Sequence, residues 1–350
     1  MYRILLGDES VGRRWIHRLP LRLGRSGSQA PLHIEIDVPF RYGPRKDNKD
    51  EQQDSKINSN SHTRGAELND ITTLLTLLSG KDGILCSRWH SLRLAVNSDF
   101  KLGYAALLPL TYPMSSLTTL HLKLRCDRHP GSERKELFPN LPSLESVILE
   151  GIFMHNYPDM SNAREISMRG GYCLSGIVPQ HGLFNAPKLE RLSLINDGFV
   201  FSFPPVYSDL RTLSVRGSLL TDGLLAVSMP LLEHLSVDFH SYSILEQIAR
   251  LRDIGRIRTL HLIGGATTRS DPLRRSESQL VHSILQQCKG LNTLKVDEYV
   301  LSLLFEDWAS YLEPTNPVLV FLAMNSGELM RISLDNPRSI SELDRIKALH

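Results

Sequence analysis

The chain has 350 residues, 41% of them hydrophobic, and nearly balanced charge, with 40 Lys and Arg against 38 Asp and Glu. The apolar content is enough for a packed core, whereas the balanced charge argues against DNA, RNA or an acidic membrane as the main partner. No apolar run approaches the ~18 residues that a membrane helix needs, and the first residues are too quickly charged for a signal peptide. We therefore expect an intracellular protein, cytoplasmic or nuclear, without membrane or nucleic-acid partners.

The cysteines give no sign of a disulfide framework or a metal site. Cys86, Cys126, Cys173 and Cys288 lie far apart, and no C-x-x-C occurs. The pair Cys126-x-x-His129 has ligand-like spacing, but it lacks a second pair of ligands nearby. We expect buried free thiols, which fits an intracellular protein.

The N-terminal part divides into three pieces. Residues 31–37 alternate apolar and polar side chains and are predicted to form a strand. Residues 41–66 include a long stretch without any apolar side chain, which predicts a mobile polar loop. Residues 68–78 carry apolar side chains at helical spacing. We expect an N-terminal segment over 1–40, a disordered loop over 41–66 and a repeat array over 67–350.

The array is predicted from a pattern that recurs ten times, apolar-x-x-apolar-x-apolar. Its copies cover residues 89–94, 117–122, 144–149, 163–168, 189–194, 210–215, 232–237, 257–262, 291–296 and 329–334. This pattern is the strand of a leucine-rich repeat, whose period is about 20–29 residues. The distances between equivalent positions, from 19 to 34 residues, indicate an irregular array with insertions. The expected fold is α/β, a curved leucine-rich-repeat solenoid with short parallel strands inside and helices or loops outside.

The segments between the copies have helical spacing or turn residues. Residues 244–251 predict a helix, and Ser276-x-x-Gln279 resembles a capping box that would begin another. Residues 341–350 would form a helix that covers the last repeat. The glycine pairs at 170–171 and 264–265 end predicted strands, where we expect turns with positive φ.

Side chains alternate between the two faces of a strand, so the pattern also predicts which residues line the concave face. Leu192 and Leu194 would point into the core, whereas Arg191 and Ser193 would face outward. Four serines follow one another in the middle outward column, which would let a partner approach closely; serine is also a harmless choice on any exposed strand. The residues predicted to contact a protein partner are His121, Ser167, Arg169, Ser193, Ser214, Arg216, Ser236, Asp238, His261 and Lys295.

The sequence contains no motif for catalysis. It lacks a Walker A loop, a strand-linked G-x-G-x-x-G, H-E-x-x-H and G-x-S-x-G, and its 13 histidines are scattered. We therefore expect a non-enzymatic protein without a metal or cofactor. Trp15 and Trp89 follow arginines, an arrangement that can form a nucleic-acid platform, but core packing is the favoured interpretation.

Several short phrases resemble fungal F-box proteins of the basidiomycete type. They are the run over residues 14–36 with GRSGS at 24–28, the RWHSLRL at 88–94, and the repeat phrases FPNLPSLE at 138–145 and NAPKLE at 185–190. In that family a helix leads into the first strand, and the F-box binds a Skp-type adaptor while the repeats hold the target. The resemblance implies substrate recognition within a ubiquitin ligase. Here Gly24 replaces the usual acidic residue, and no F-box precedes the phrase, so the adaptor is expected only if an F-box lies upstream.

A second hypothesis is a leucine-rich-repeat scaffold or regulator unrelated to ubiquitin, of the GTPase-regulating or transport type. Such a protein would use a catalytic or guiding arginine at a repeat edge. Arg169 and Arg216 are the candidates for that role.

Overall fold

A computed structural model describes residues 2–5, 9–27, 29–38, 71–96, 101–102, 104–123, 125–126, 137–150, 158–169, 186–196, 205–217, 227–239, 242–264, 271–305 and 331–334. The predicted loop over 41–66, the predicted closing helix over 341–350 and His129 lie outside these residues. The chain divides into two compact units, Met1–Ala163 and Arg164–His350.

The first unit contains a parallel sheet with helices outside it and, apart from that sheet, a two-stranded parallel pair. Its elements are β1 (Tyr2–Leu5), α1 (Glu9–Arg25), β2 (Leu32–Val38), α2 (71–79), β3 (Trp89–Val96), β4 (Lys101–Leu102), β5 (Thr119–Lys123), β6 (Arg125–Cys126) and β7 (Ser146–Glu150). The strand order is β1-β2-β3-β5-β7, while β4 and β6 pair separately. The strand predicted over 31–37 and the helix predicted over 68–78 are confirmed within the described residues.

The second unit repeats the same arrangement. Its elements are β8 (Glu165–Arg169), β9 (Arg191–Asn196), β10 (Thr212–Gly217), β11 (His234–Phe239), α3 (Tyr242–Ala249), β12 (Thr259–Gly264), α4 (Asp271–Gln287), β13 (Thr293–Val296), α5 (Glu298–Phe305) and β14 (Arg331–Leu334). The strands follow one another across the sheet in chain order, and every pair is parallel. The α/β class with short parallel strands is therefore confirmed.

The strands form where the sequence pattern predicts them, and their register follows the pattern. Each of the ten predicted copies overlaps a described strand. Leu192, Leu213 and Leu235 face one another across β9, β10 and β11. Leu192 is 1% exposed, whereas Arg191 is exposed and Ser193 half-buried, as alternation along a strand requires. Because a slip of one residue would expose the leucine row, burial fixes this register.

A turn of the same kind lies directly before most of the strands. In seven of these turns the N–H of the first residue of the six-residue pattern donates to the carbonyl three residues earlier, as Leu189 does to Ala186 and Leu232 to Met229. Proline often follows the first turn residue, as Pro187 does, and its fixed φ suits that position. The residues that begin these turns are buried: Met114, Leu141, Met160, Ala186, Met229, Ile254 and Cys288. The apolar row of the repeat is thus one position longer than the six-residue pattern.

The start of α4 differs from the prediction. The capping box at Ser276 would begin a helix there, but α4 begins at Asp271 and Ser276 lies inside it. Pro272 explains the difference, because proline is favoured in a first helical turn, whose N–H groups have no helical acceptor. The stop near Gly290 is confirmed, since α4 ends at Gln287.

The glycine prediction at 264 is right about the end of a strand and wrong about positive φ. Gly264 is the last residue of β12 and does not have positive φ. A Cβ added there would collide with the ring of Tyr299. Gly264 is therefore needed for the close approach of an aromatic side chain from α5, and Gly265 and the pair at 170–171 lie outside the described residues.

The two tryptophans differ. Trp89 is fully buried, and its indole N–H donates to the carbonyl of Leu78 at 3.2 Å, which confirms core packing. Trp15 is half-buried on α1, with the Arg22 guanidinium 4.9 Å from its ring centroid. Core packing was therefore wrong for Trp15, because its ring lies under an arginine of the same helix.

The described thiols are buried and free, as predicted. Cys86 and Cys288 form no disulfide. Burial raises the pKa of Cys86 to about 11 and that of Cys288 to about 12, so both stay protonated near neutral pH.

Candidate binding face of the sheet

The outward face of the second unit carries nine of the ten predicted contact residues. Ser167, Ser193, Ser214 and Ser236 face one another across β8, β9, β10 and β11. We call these four residues the serine row. All four are half-buried, and adjacent strands lie about 4.8 Å apart, so the row spans roughly 14 Å. The sequence therefore predicted the alignment of these side chains correctly.

His261 and Lys295 continue the serine row on β12 and β13. His261 faces Ser236 in the register, and the Ser236 hydroxyl lies 3.3 Å from His261 Nδ1. Lys295 faces His261 on the other side. The middle of this face therefore changes from hydroxyl groups to an imidazole and then to an ammonium group.

A second outward column lies two residues further along the strands. Arg169, Ile195, Arg216, Asp238 and Ile263 face one another in that order. The Arg216 Nε lies 2.7 Å from Asp238 Oδ2, and the Asp238 side chain is only 10% exposed. A nearly buried carboxylate needs such a cation, because burial without one disfavours its charge. Arg216 is therefore held in place, whereas the two isoleucines give this column apolar positions.

Asp297 has a structural role, although the pattern places it in the same column. Its carboxylate accepts the N–H of Gly264 at 2.8 Å and the N–H of Val300 at 2.9 Å. It therefore caps the N-terminus of α5 and links it by a hydrogen bond to the end of β12. Burial raises its pKa, the two N–H groups oppose that shift, and the nearby Asp238 adds to it.

The tenth predicted residue, His121, belongs to the first unit and lies in a cluster of charged residues. His121 Nε2 lies 3.3 Å from Glu150 Oε1, and Lys123 Nζ lies 3.4 Å from Glu150 Oε2. Burial lowers the pKa of His121, and Arg93 and Lys123 add to that effect, while the hydrogen bond that His121 donates to Glu150 opposes it. For Glu150, burial favours the neutral acid, but Lys123 and His121 together hold its pKa below the usual value. His121 is thus neutral near pH 7 while Glu150 is charged.

Sequence reasoning missed a column of charges at the edge where the strands of the second unit begin. Its members are the second residues of five successive copies of the six-residue pattern: Arg164, Glu190, Arg211, Glu233 and Arg258. Backbone bonds join them in order; for example, the Glu190 N–H donates to the Arg164 carbonyl at 2.8 Å. Two ion pairs form along the column, Arg164–Glu190 at 2.9 Å and Arg258–Glu233 at 4.0 Å. The signal was present in the second position of the repeated pattern, where basic and acidic residues alternate.

Within the described part of the chain, no three His, Cys, Asp or Glu side chains are grouped so that they could hold a metal ion. None of the described helices is long and apolar enough to cross a membrane.

Comparison of the chain with protein-family models, with curated proteins and with solved structures finds no match.

Proposed function

We propose that the chain is a leucine-rich-repeat recognition module that binds a protein partner on the outward face of its sheet. The observation that carries this proposal is the register of the serine row, with small side chains in line across four adjacent strands. Small polar side chains let a partner's backbone approach the sheet, and the charged columns beside them supply specificity. The repeated turn before each strand supports the leucine-rich-repeat assignment.

We further propose that this module is the target-binding part of an F-box ubiquitin-ligase subunit. The support is the set of family-like phrases, together with α1, which ends at Arg25 within the GRSGS phrase and precedes β2. In this function the chain performs no chemistry itself. It holds the target, and an adaptor bound elsewhere supplies the ligase.

The experiment is a capture of cellular proteins with a matched pair of variants. Ser214→Tyr places a neutral, bulky side chain in the middle of the serine row. Ser208→Tyr places the same side chain in the exposed turn before the same strand. We expect a reproducible set of captured proteins that is lost with Ser214→Tyr and kept with Ser208→Tyr. Identical sets for both variants would overturn binding on this face.

Membership of a ubiquitin ligase has a separate test. The protein, tagged at its natural locus, should recover a Skp-type adaptor together with its targets. Recovery of targets without the adaptor would overturn the ligase role and leave the recognition function standing.

The GTPase-regulating or transport alternative needs an arginine that can reach a partner. Arg216 is held by Asp238, so it is poorly suited to that role. If substituting Arg169 and Arg216 together leaves partner binding unchanged, the alternative is excluded.

A further inference from the structure

The charges on the outward face of the second unit are unevenly distributed. Five arginines lie on β8, β9 and β10 or directly before these strands: Arg164, Arg169, Arg191, Arg211 and Arg216. We call them the arginine patch. The acidic residues ion-paired with them are Glu165, Glu190 and Asp238, so five positive charges face three negative ones and the local excess is two. Glu233 follows Arg211 at the edge where the strands begin, but it is paired with Arg258.

The neighbouring strands lack this excess. On β11, β12 and β13 and at their edges, Arg258 and Lys295 are balanced by Glu233 and Asp297, with Asp238 shared at the border. The chain as a whole carries a formal charge of only +2. Among β8 to β13, the basic excess of the outward face therefore lies on the strands that carry Ser167, Ser193 and Ser214.

The patch has a definite geometry. Arg191 lies at the beginning of β9, while Arg169 and Arg216 lie at the far ends of β8 and β10, where both face Ile195. Ile195 lies four residue steps along the strand from Arg191, a distance of about 13 Å. Arg164, Arg191 and Arg216 remain more than half exposed despite their ion pairs. Cations thus border the serine row at both of its long edges.

We propose that this surface binds an acidic segment of a partner protein, with the backbone over the serine row and carboxylates at the arginines of both edges. This inference rests on the proposed recognition function and specifies the chemistry of the partner. Arginine suits carboxylates because its planar group can donate two parallel hydrogen bonds. A nucleic acid fits less well, since none of the described outward residues on these three strands is aromatic and acidic side chains interrupt the patch.

The test measures binding of a dye-labelled polyglutamate peptide to the full chain by fluorescence anisotropy. We expect binding that weakens as salt is raised, because exposed charges are screened. Arg169→Gln with Arg211→Gln should lower the affinity by about three- to tenfold. Arg252→Gln with Lys289→Gln removes the same charge from exposed turns of the same unit and should leave the affinity unchanged.

Three outcomes would overturn the proposal: no binding of polyglutamate, an equal loss for both double variants, or tighter binding of an oligothymidylate of similar length. None of them bears on the capture experiment with Ser214→Tyr and Ser208→Tyr, whose side chains are neutral. If polyglutamate does not bind but the capture experiment still shows a loss with Ser214→Tyr alone, the face binds a partner that is not acidic.

Discussion

The Arg216 guanidinium and the Asp238 carboxylate face each other directly in the register of β10 and β11, with Nε and Oδ2 2.7 Å apart. The pair is unequal, because the Asp238 side chain is 10% exposed and that of Arg216 is 54% exposed. Removing the cation therefore leaves a carboxylate with little access to water. Removing the carboxylate leaves an arginine that water can still solvate.

Arg216→Gln should accordingly destabilise the chain, by about 1 kcal/mol after allowance for the exposure of the arginine. Adding Asp238→Asn should recover part of that loss, since no buried charge then remains. Chemical denaturation of the wild type, both single variants and the double variant gives the coupling free energy. Additive losses would mean that the two side chains do not interact.

Tyr207 is buried directly before the turn at residues 208–209 that precedes β10, and its hydroxyl has no hydrogen-bond partner among the described residues. Burial raises the pKa of this phenol, so the group stays neutral. Tyr207→Phe should leave the stability unchanged or raise it by up to about 1 kcal/mol, because a desolvated hydroxyl is removed. Thermal unfolding of the variant measures this. A loss of more than about 1 kcal/mol would show that the hydroxyl is satisfied.

The His121 cluster should make the protein less stable in mild acid. Burial lowers the pKa of His121, so the unfolded chain takes up a proton first as the pH falls below about 6.5. Glu150, whose pKa is also lowered, loses its contribution as the pH falls further through its folded-state pKa. His121→Gln should thus reduce the drop in unfolding midpoint between neutral pH and pH of about 5.5. If His121→Gln leaves the pH dependence unchanged, the drop is caused by other groups. His33 is one of them, because burial and the neighbouring His90 also lower its pKa.

Two glycines provide opposite expectations for the same substitution. Gly83 has φ +74°, and a Cβ there would collide with the ring of Tyr112, so Gly83→Ala should cost about 2–3 kcal/mol. Gly24 lies in α1 with nothing within 4 Å of an added Cβ. Gly24→Ala should therefore stabilise by about 0.5–1 kcal/mol. Denaturation midpoints test both, and a neutral Gly83→Ala would mean that Tyr112 moves aside.

The strands and their register were predictable because burial of one face leaves few alternatives. A single six-residue pattern places Leu192 opposite Leu213 and, with it, Ser193 opposite Ser214. The ion pairs were harder to predict from the sequence. Charge order along the chain shows that Arg216 and Asp238 share a column, but it does not show that their side chains meet at 2.7 Å.

The errors arose where local signals competed. Ser276 and Gln279 fit a capping box, but Pro272 allows α4 to begin a full turn earlier, and the extra turn carries Asp271. Gly264 follows the rule for a turn, yet it serves the packing of Tyr299, a residue 35 positions later that no local pattern indicates.

The repeated turn also has a consequence for the evolution of such a chain. The backbone bonds before the strands of the second unit join neighbouring repeats, as Arg211 and Thr212 donate to Glu190 and Tyr207 donates to Ser228. A tandem duplication of residues 210–231 would therefore reproduce both halves of every junction and add one strand, about 4.8 Å of width, without new partners. Gain or loss of whole repeats offers this protein a route to a longer or shorter surface that point substitutions cannot provide.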